Sequence, residues 1–196
     1  YLQALRVSAI WIGPVLKQRT HLDTYHGYGV QDFLEVDPRF GSRQDLLALV
    51  QAAHRKGIRV VLDIILNHTG DAWGYLPPGE SVEKCRNSPS YRIWPGYYGD
   101  PSSYDTCGWR IAWRDVSQDA LSADPKDIAS RDQALWPREF QDEARFTRAG
   151  AGSLGNGDPA DPHAEFRRSD FFALKDLALD MTPTLDFLID CYRYWI

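Results

Sequence analysis

The stretch that decides the fold is IRVVLDIILNH, residues 58–68. Its first part, residues 58–64, is apolar on both faces of an extended chain, as is typical of a central parallel strand covered by helices. Polar side chains then come at its carboxyl end, at Asp63, Asn67 and His68. Parallel α/β folds bind their ligands at that end of the sheet. We therefore expect an α/β fold in which these three side chains approach one cavity.

A second strand and a helix are predicted upstream of this stretch. Residues 7–12, VSAIWI, form a short apolar run closed by Gly13 and Pro14, which indicates a buried strand and a turn. Ser42 is a suitable N-cap, and Gly57 suits the C-terminal end of the helix that follows it. Its apolar residues recur on one face, at Leu46, Leu47, Leu49, Val50 and Ala53. The order strand, helix, strand predicts a βαβ unit with a right-handed crossover, and residues 1–5 are expected to end a preceding helix.

The middle of the chain has a different character. Residues 70–170 hold 10 of the 15 glycines and 9 of the 12 prolines, which interrupts regular elements. The same stretch holds five of the seven tryptophans, which argues against a disordered linker. We expect a folded, loop-rich insertion, in which tryptophans such as Trp73 and Trp94 serve either as core residues or as sugar-stacking platforms. From residue 184 the apolar spacing returns to that of a helix.

Composition excludes several classes of protein. The net charge of −5 offers no basic surface for nucleic acid or anionic lipid, and no apolar run approaches the roughly 18 residues that a membrane span needs. The cysteines Cys85, Cys107 and Cys191 lack the short paired spacing of a zinc site. Cys85 and Cys107 form either a disulfide or two free thiols, and Cys191 is expected to be buried. The cellular compartment stays open.

A second polar stretch follows the first strand and therefore lies on the same face. It begins YHGYGVQDF at residue 25, and its Tyr28 offers a ring to the apolar face of a sugar and a hydroxyl to a polar edge. Gly27 and Gly29 let the backbone turn closely there. The strand-end set offers a carboxylate, an amide and an imidazole to a polyhydroxylated ligand, and Asn67 also offers an oxygen to a cation such as calcium. The alternative for both stretches is a structural hydrogen-bond network.

Together these stretches resemble the α-amylase family of glycoside hydrolases. Asp63-x-x-x-Asn67-His68 resembles the family's first conserved region, and His26-Gly27-Tyr28 resembles its tyrosine-bearing loop after the second barrel strand. Residues 174–177, LKDL, resemble the segment that closes the family's inserted domain. The similarity is dense over residues 1–70 and resumes at 170–196.

The resemblance implies a partial (β/α)8 barrel and a retaining reaction on α-glucosidic linkages of an α-glucan or α-glucoside. It implies the second and third strands with their helices in residues 1–68, the inserted domain in 69–183, and the start of the third helix in 184–196. His68 would hydrogen-bond the sugar, Tyr28 would stack beneath it, and Asp63 would order the cavity. Asn67 and Asp176 would be calcium ligands, although Lys175 beside Asp176 departs from the pattern of calcium binders.

No catalytic residue is assigned, because the family's nucleophile and acid/base follow later strands than those present. We expect the 196 residues to be a piece of such an enzyme, to be inactive alone, and to self-associate through uncovered apolar faces. Two other hypotheses stay open: a non-catalytic amylase-like subunit of an interaction or transporter complex, and an unrelated α/β domain.

Overall fold

A computed structural model describes most of residues 1–68, called the barrel-like part after the predicted fold, and parts of the predicted insertion, residues 69–183. The described residues are 1–18, 25–76, 110–114, 121–122, 135–147, 160, 170–171, 174–179 and 182–196. The strands are β1 (Ala9–Ile12), β2 (Leu16–Gln18), β3 (Val30–Val36), β4 (Arg59–Leu62), β5 (His68–Thr69), β6 (Trp73–Leu76), β7 (Arg110–Arg114), β8 (Leu121–Ser122) and β9 (Lys175–Asp176). The helices are α1 (Arg43–His54) and α2 (Thr182–Arg193), and two short 3-10 turns span Arg138–Gln141 and Glu143–Arg145.

The predicted βαβ unit is present. Strands β1 and β4 pair in parallel, from Ala9 opposite Arg59 to Ile12 opposite Leu62, and α1 lies between them in the chain. Both strands are shorter than the apolar runs that predicted them. The other pairs are antiparallel: β2 with β3, β5 with β9, and β6, β7 and β8 in one sheet.

Within the described part of the chain, β4 is not covered on both faces. Val61 is 51% exposed, and Trp11 on the neighbouring strand is 74% exposed. The apolar stripe of α1 is also largely open, with Leu47 56% exposed and Ala53 buried. The physical reason is that β4 has one strand partner and one packed helix among the described residues, which is too little to cover a strand of this kind.

Helix α1 begins as the sequence predicts. The Ser42 hydroxyl accepts a hydrogen bond from the Asp45 backbone N–H, and the Asp45 carboxylate accepts one from the Ser42 backbone, which completes a capping box. The helix ends at His54, and Gly57 follows with a φ of +70°, the left-handed conformation that favours glycine after a helix. Residues 1–5 form turns and not the end of a helix.

The strand β3 was not predicted. Its first four residues are all buried. The strand therefore lacks the alternation of apolar and polar residues that identifies a strand with one solvent-exposed face. The backbone N–H of Phe33 donates to the Trp136 carbonyl at 2.9 Å, and the Trp136 N–H donates to the Gln31 carbonyl at 2.9 Å. Strand β3 therefore has two partners, the neighbouring β2 and a segment distant in sequence.

One hydrophobic core joins the barrel-like part to the described part of the predicted insertion. Trp73 and Trp113 lie opposite each other on β6 and β7, and both are buried. The Phe146 ring meets the Trp73 ring edge to face at 5.3 Å. Trp73 is thus a core residue, and the sugar-platform hypothesis for it is wrong. Trp94 lies outside the described residues, and the domain bounds 1–68, 69–183 and 184–196 stay predictions.

Helix α2 starts two residues before the predicted residue 184 and buries one face. Leu188, Cys191 and Tyr192 are in the core, which confirms the prediction for Cys191. Burial raises the pKa of the Cys191 thiol to about 12. Cys85 and Cys107 lie outside the described residues. Within the part of the chain that the structure describes, no helix combines the length and apolarity needed to cross a bilayer.

Candidate functional site

Asp63 and Tyr28 meet at the carboxyl end of the parallel pair. Asp63 directly follows β4, and its backbone N–H donates to the Ile12 carbonyl at 3.0 Å, which continues the pairing with β1 by one step. Tyr28 lies in the segment between β2 and β3. Its hydroxyl donates to Oδ2 of Asp63 at 3.1 Å. Two residues 35 positions apart, both predicted to face one cavity, are therefore in direct contact.

Two glycines allow this approach. Gly27 has a φ of +81°, and a Cβ there would lie 2.4 Å from the Pro14 carbonyl oxygen. A Cβ on Gly70 would lie 2.5 Å from the Gly29 carbonyl oxygen. A side chain at either position would push the tyrosine segment away from its neighbours. The close backbone contacts thus set the position of Tyr28 beside the start of β5.

His68 is the first residue of β5 and lies beside this segment. Its ring is half-buried, and its centroid is 6.3 Å from that of Phe171. Burial lowers the pKa of His68, the Tyr28 backbone acts to raise it, and the charge of His26 lowers it again. The net direction is downward, so the imidazole is neutral at neutral pH. A neutral imidazole offers one donor and one acceptor to a ligand hydroxyl.

His26 supports Tyr28, a role that the sequence motif did not predict. Its Nδ1 accepts a hydrogen bond from the Tyr28 backbone N–H at 3.0 Å, and the two rings stack with centroids 5.7 Å apart and planes at 22°. His26 thus fixes both the backbone and the ring plane of Tyr28. Its place two residues before the tyrosine was the available signal.

The arrangement suits a ligand that has both apolar faces and hydroxyl groups. The hydrogen bond to Asp63 and the charge of that carboxylate raise the pKa of Tyr28, so the phenol stays protonated and remains a donor. The Tyr28 side chain is 41% exposed, which leaves ring surface for stacking. Asp63 adds a carboxylate acceptor, and His68 adds a donor and an acceptor. Tyr28 and Asp63 are therefore in place to stack on or hydrogen-bond a polyhydroxylated molecule. Both ring nitrogens of His68 are buried and have no hydrogen-bond partner among the described residues.

The predicted calcium ligands, Asn67 and Asp176, contact each other. The amide Nδ2 of Asn67 donates to Oδ1 of Asp176 at 2.9 Å, so the amide presents its hydrogens and not its oxygen. Within the described ranges, no group of three or more His, Cys, Asp or Glu side chains is arranged to hold a metal ion. In this arrangement the two residues do not fit a calcium ion. Calcium binding stays a prediction.

A buried cluster of charges beside Asp176 was also missed. The Lys175 ammonium lies 3.0 Å from Oδ2 of Asp170 and 3.6 Å from Oδ1 of Asp71. A lysine within an apolar run, Ala-Leu-Lys-Asp-Leu-Ala, was the signal, because a buried charge needs a partner. The sequence could not identify Asp71 as a partner, since it is about a hundred positions away; Asp170 is five positions away.

Comparison with known proteins points to one family. The family model described as the α-amylase catalytic domain matches residues 1–145. An α-amylase of Streptomyces lividans is 43% identical over 206 aligned residues, which cover 100% of this chain and 21% of that protein. A trehalose synthase/amylase, TreS, of Mycobacterium tuberculosis is 32% identical over 140 residues, which cover 71% of this chain and 21% of that protein. The chain thus spans about a fifth of the length of these curated relatives.

A solved structure shows the same fold. The α-amylase of Geobacillus thermoleovorans, complexed with acarbose, superposes with a TM-score of 0.53 at 24% identity, covering 100% of this chain and 29% of that chain. The described residues form a partial α/β piece of that catalytic-domain fold. Because the family model covers more than half of the chain, the protein belongs to the α-amylase catalytic-domain family.

Proposed function

We propose that this chain forms part of the sugar-binding surface of a glycosidase that acts on α-glucosidic linkages of oligo- or polysaccharides. The observation that carries the proposal is the contact of the Tyr28 hydroxyl with Oδ2 of Asp63, with His68 beside it on β5. The names of the relatives, α-amylase and trehalose synthase/amylase, support the same class of substrate.

Each residue has a distinct role in this proposal. The exposed ring of Tyr28 stacks beneath the sugar in the cleavage subsite, and its plane is held by His26. The neutral imidazole of His68 exchanges hydrogen bonds with sugar hydroxyls. Asp63 accepts a hydrogen bond from the Tyr28 hydroxyl and so orders the tyrosine side chain and the cavity.

The bond-breaking groups lie outside this set. A retaining glycosidase uses two carboxyl groups about 5–5.5 Å apart, one as nucleophile and one as acid and then base. Among the described site residues, Asp63 is the carboxylate, and it is engaged by Tyr28. We therefore assign no catalytic residue here and expect no hydrolysis by the 196 residues alone.

The proposal also places the chain within a (β/α)8 barrel. Strands β1 and β4 would be the second and third barrel strands, because the tyrosine segment and the Asp63 stretch follow them in the order of the family. The segment from 69 to 183 would be the inserted domain, and α2 would begin the third barrel helix.

Sugar binding by the purified chain tests the function. We expect maltotriose to bind, cellotriose to bind more weakly, and His68→Ala to raise the maltotriose dissociation constant about tenfold, as loss of a hydrogen bond worth about 1.4 kcal/mol requires. Titration calorimetry measures all three. The matched control is His54→Ala, because His54 is an exposed histidine in the last turn of α1.

The same preparation should not release p-nitrophenol from a p-nitrophenyl α-glucoside, nor sugar from starch. Equal binding of maltotriose by the wild type and His68→Ala would contradict the site. Hydrolysis at rates typical of enzymes would contradict the expected inactivity of the chain alone, while leaving the sugar site intact.

A further inference from the structure

We call β5, β9 and the side chains of Asp71 and Asp170 the junction. It contains a buried cation that belongs to the chain itself, the Lys175 ammonium. The Lys175 side chain is 7% exposed, and those of Asp170 and Asp71 are 2% and 11% exposed. Its Nζ also lies 4.7 Å from the ring centroid of Trp73. The ammonium is thus enclosed by two carboxylates and one aromatic face.

The three charged residues come from both sides of the junction. Asp71 follows β5, whereas Lys175 begins β9, with Thr69 opposite Lys175 and His68 opposite Asp176. Asp170 precedes β9, and its Oδ1 accepts from the Asp176 backbone N–H at 3.3 Å. The ammonium therefore bridges the segment after β5 and the segment before β9, which are distant in sequence.

The electrostatics of this arrangement require the positive charge. The pKa of Asp170 is raised overall: burial raises it most and the charge of Asp71 adds to this, whereas the charge and hydrogen bond of Lys175 lower it. Removing one member of a buried ion pair is strongly destabilising, because the remaining charge loses its compensation. A cation between buried carboxylates of two segments neutralises charge and links the segments, which is what a structural metal ion does.

We propose that the Lys175 ammonium is the structural cation of this junction and occupies the role that a bound calcium ion would otherwise fill. The hydrogen bond between Asn67 and Asp176 agrees with this, because each of these side chains is engaged by the other in a way that does not suit a calcium ion. The strand that carries His68 is then fastened by Lys175 without a metal.

The first test uses the wild-type chain. We expect its Tm to be the same, within about 1 °C, in excess CaCl2 and in excess EDTA. A Tm that rises with CaCl2 and falls with EDTA would overturn the proposal. This measurement involves no sugar, so its failure is distinct from failure of the proposed function.

A double-mutant cycle tests the charge itself. Lys175→Met keeps the length of the side chain and removes its charge, and we expect it to lower Tm on the order of 10 °C. Asp170→Asn alone should also lower Tm, and the double variant should be more stable than the sum of the two losses predicts, because no isolated charge of this pair remains. Additive losses would mean that Lys175 acts through packing alone.

The control is Lys56→Met, since Lys56 is exposed in the turn after α1 and should leave Tm unchanged. If Lys175→Met does not fold, the proposal is tested by the Tm of the wild type in CaCl2 and EDTA and by the Tm of Asp170→Asn. An Asp170→Asn chain as stable as the wild type would overturn the proposal.

Discussion

The junction and the parallel pair of β1 and β4 are covered to very different degrees. In the junction, Lys175 and Asp176 are buried, and the adjacent Trp73, which contacts the Lys175 ammonium, is fully buried. On the parallel pair, Trp11 and Val61 are more than half exposed. The difference shows that the described residues complete one part of the molecule, whereas the barrel-like part presents apolar surface that they do not cover.

The candidate site lies on the border between these two parts. Asp63 continues β4 of the parallel pair, whereas His68 begins β5 of the junction. Tyr28 contacts Asp63 and stacks on His26. The proposed sugar-binding residues therefore depend on one well-covered element and one exposed element. Substitutions in the two parts should change stability to different extents.

The largest expected effect is that of Trp73→Ala. Truncating a fully buried tryptophan leaves a cavity, and we expect a loss of about 3–5 kcal/mol in the free energy of unfolding. Urea denaturation followed by circular dichroism measures it. Trp11→Ala is the matched control, because that indole is 74% exposed and its loss should change stability by only about 0.5 kcal/mol. Similar losses in both variants would remove the distinction between the two parts.

The substitution Asp37→Asn should have the next largest effect on stability. Oδ2 of Asp37 accepts from the Gln18 backbone N–H at 2.9 Å, and Arg39 donates to both carboxylate oxygens. Hydrogen bonds to a buried charge are worth more than neutral ones, so we expect a loss of about 2 kcal/mol at pH 7.

This loss should depend on pH in a defined direction. Burial alone raises the pKa of Asp37, but the hydrogen bonds from Arg39 and from the Gln18 backbone outweigh it, so the pKa is lowered in the folded chain. A lowered folded pKa stabilises the protein above the unfolded value, and this contribution is lost as pH falls through the folded value. The difference in the free energy of unfolding between the wild type and Asp37→Asn should therefore be constant from pH 5 to 7. It should become smaller below about pH 4. A gap that widened in acid would contradict this.

Ser42→Ala should cost about 1 kcal/mol, because it removes the N-cap of α1. Thermal unfolding measures the loss, and Ser8→Ala is a suitable control at an exposed serine. If the N-cap stabilises α1 more than the packing of its partly exposed apolar face does, the Ser42 variant should also show faster amide hydrogen exchange in the first turn of α1. Unchanged exchange there would mean that packing alone fixes the start of the helix.

The smallest expected effect on stability is that of the double variant Trp11→Ser, Val61→Thr. Both side chains are exposed, so the free energy of unfolding should change by less than about 1 kcal/mol. Self-association should fall, because exposed apolar strands invite contact between copies. Sedimentation velocity of the wild type and the variant measures this, and a wild type that is monomeric throughout would contradict the expected association.

The sequence predicted the elements whose signals are local. Ser42 with Asp45 marks a helix start within four residues, and the apolar runs around Ile12 and Leu62 mark the two parallel strands. The sequence also predicted that Tyr28 and Asp63 lie on one face, because residues that follow parallel strands share an edge of the sheet. These inferences need no knowledge of distant partners.

What could not be predicted depends on long-range partners. Besides its neighbour β2, strand β3 pairs with the segment at Trp136, and besides Asp170, Lys175 pairs with Asp71; Trp136 and Asp71 each lie about a hundred positions away in sequence. Periodicity reports which faces are apolar, but not which distant segment covers them. For the same reason the apolar pattern of β4 indicates that the strand needs covering segments, but it does not identify them.

Histidine NMR tests the central claim, a sugar site at the border of the two parts, most directly. In a chain labelled with ¹³C at its histidines, adding maltotriose should shift the ring signals of His68 and His26 and leave that of His54 in place. Equal shifts at all three, or no shift at His68 when maltotriose is saturating, would contradict the account.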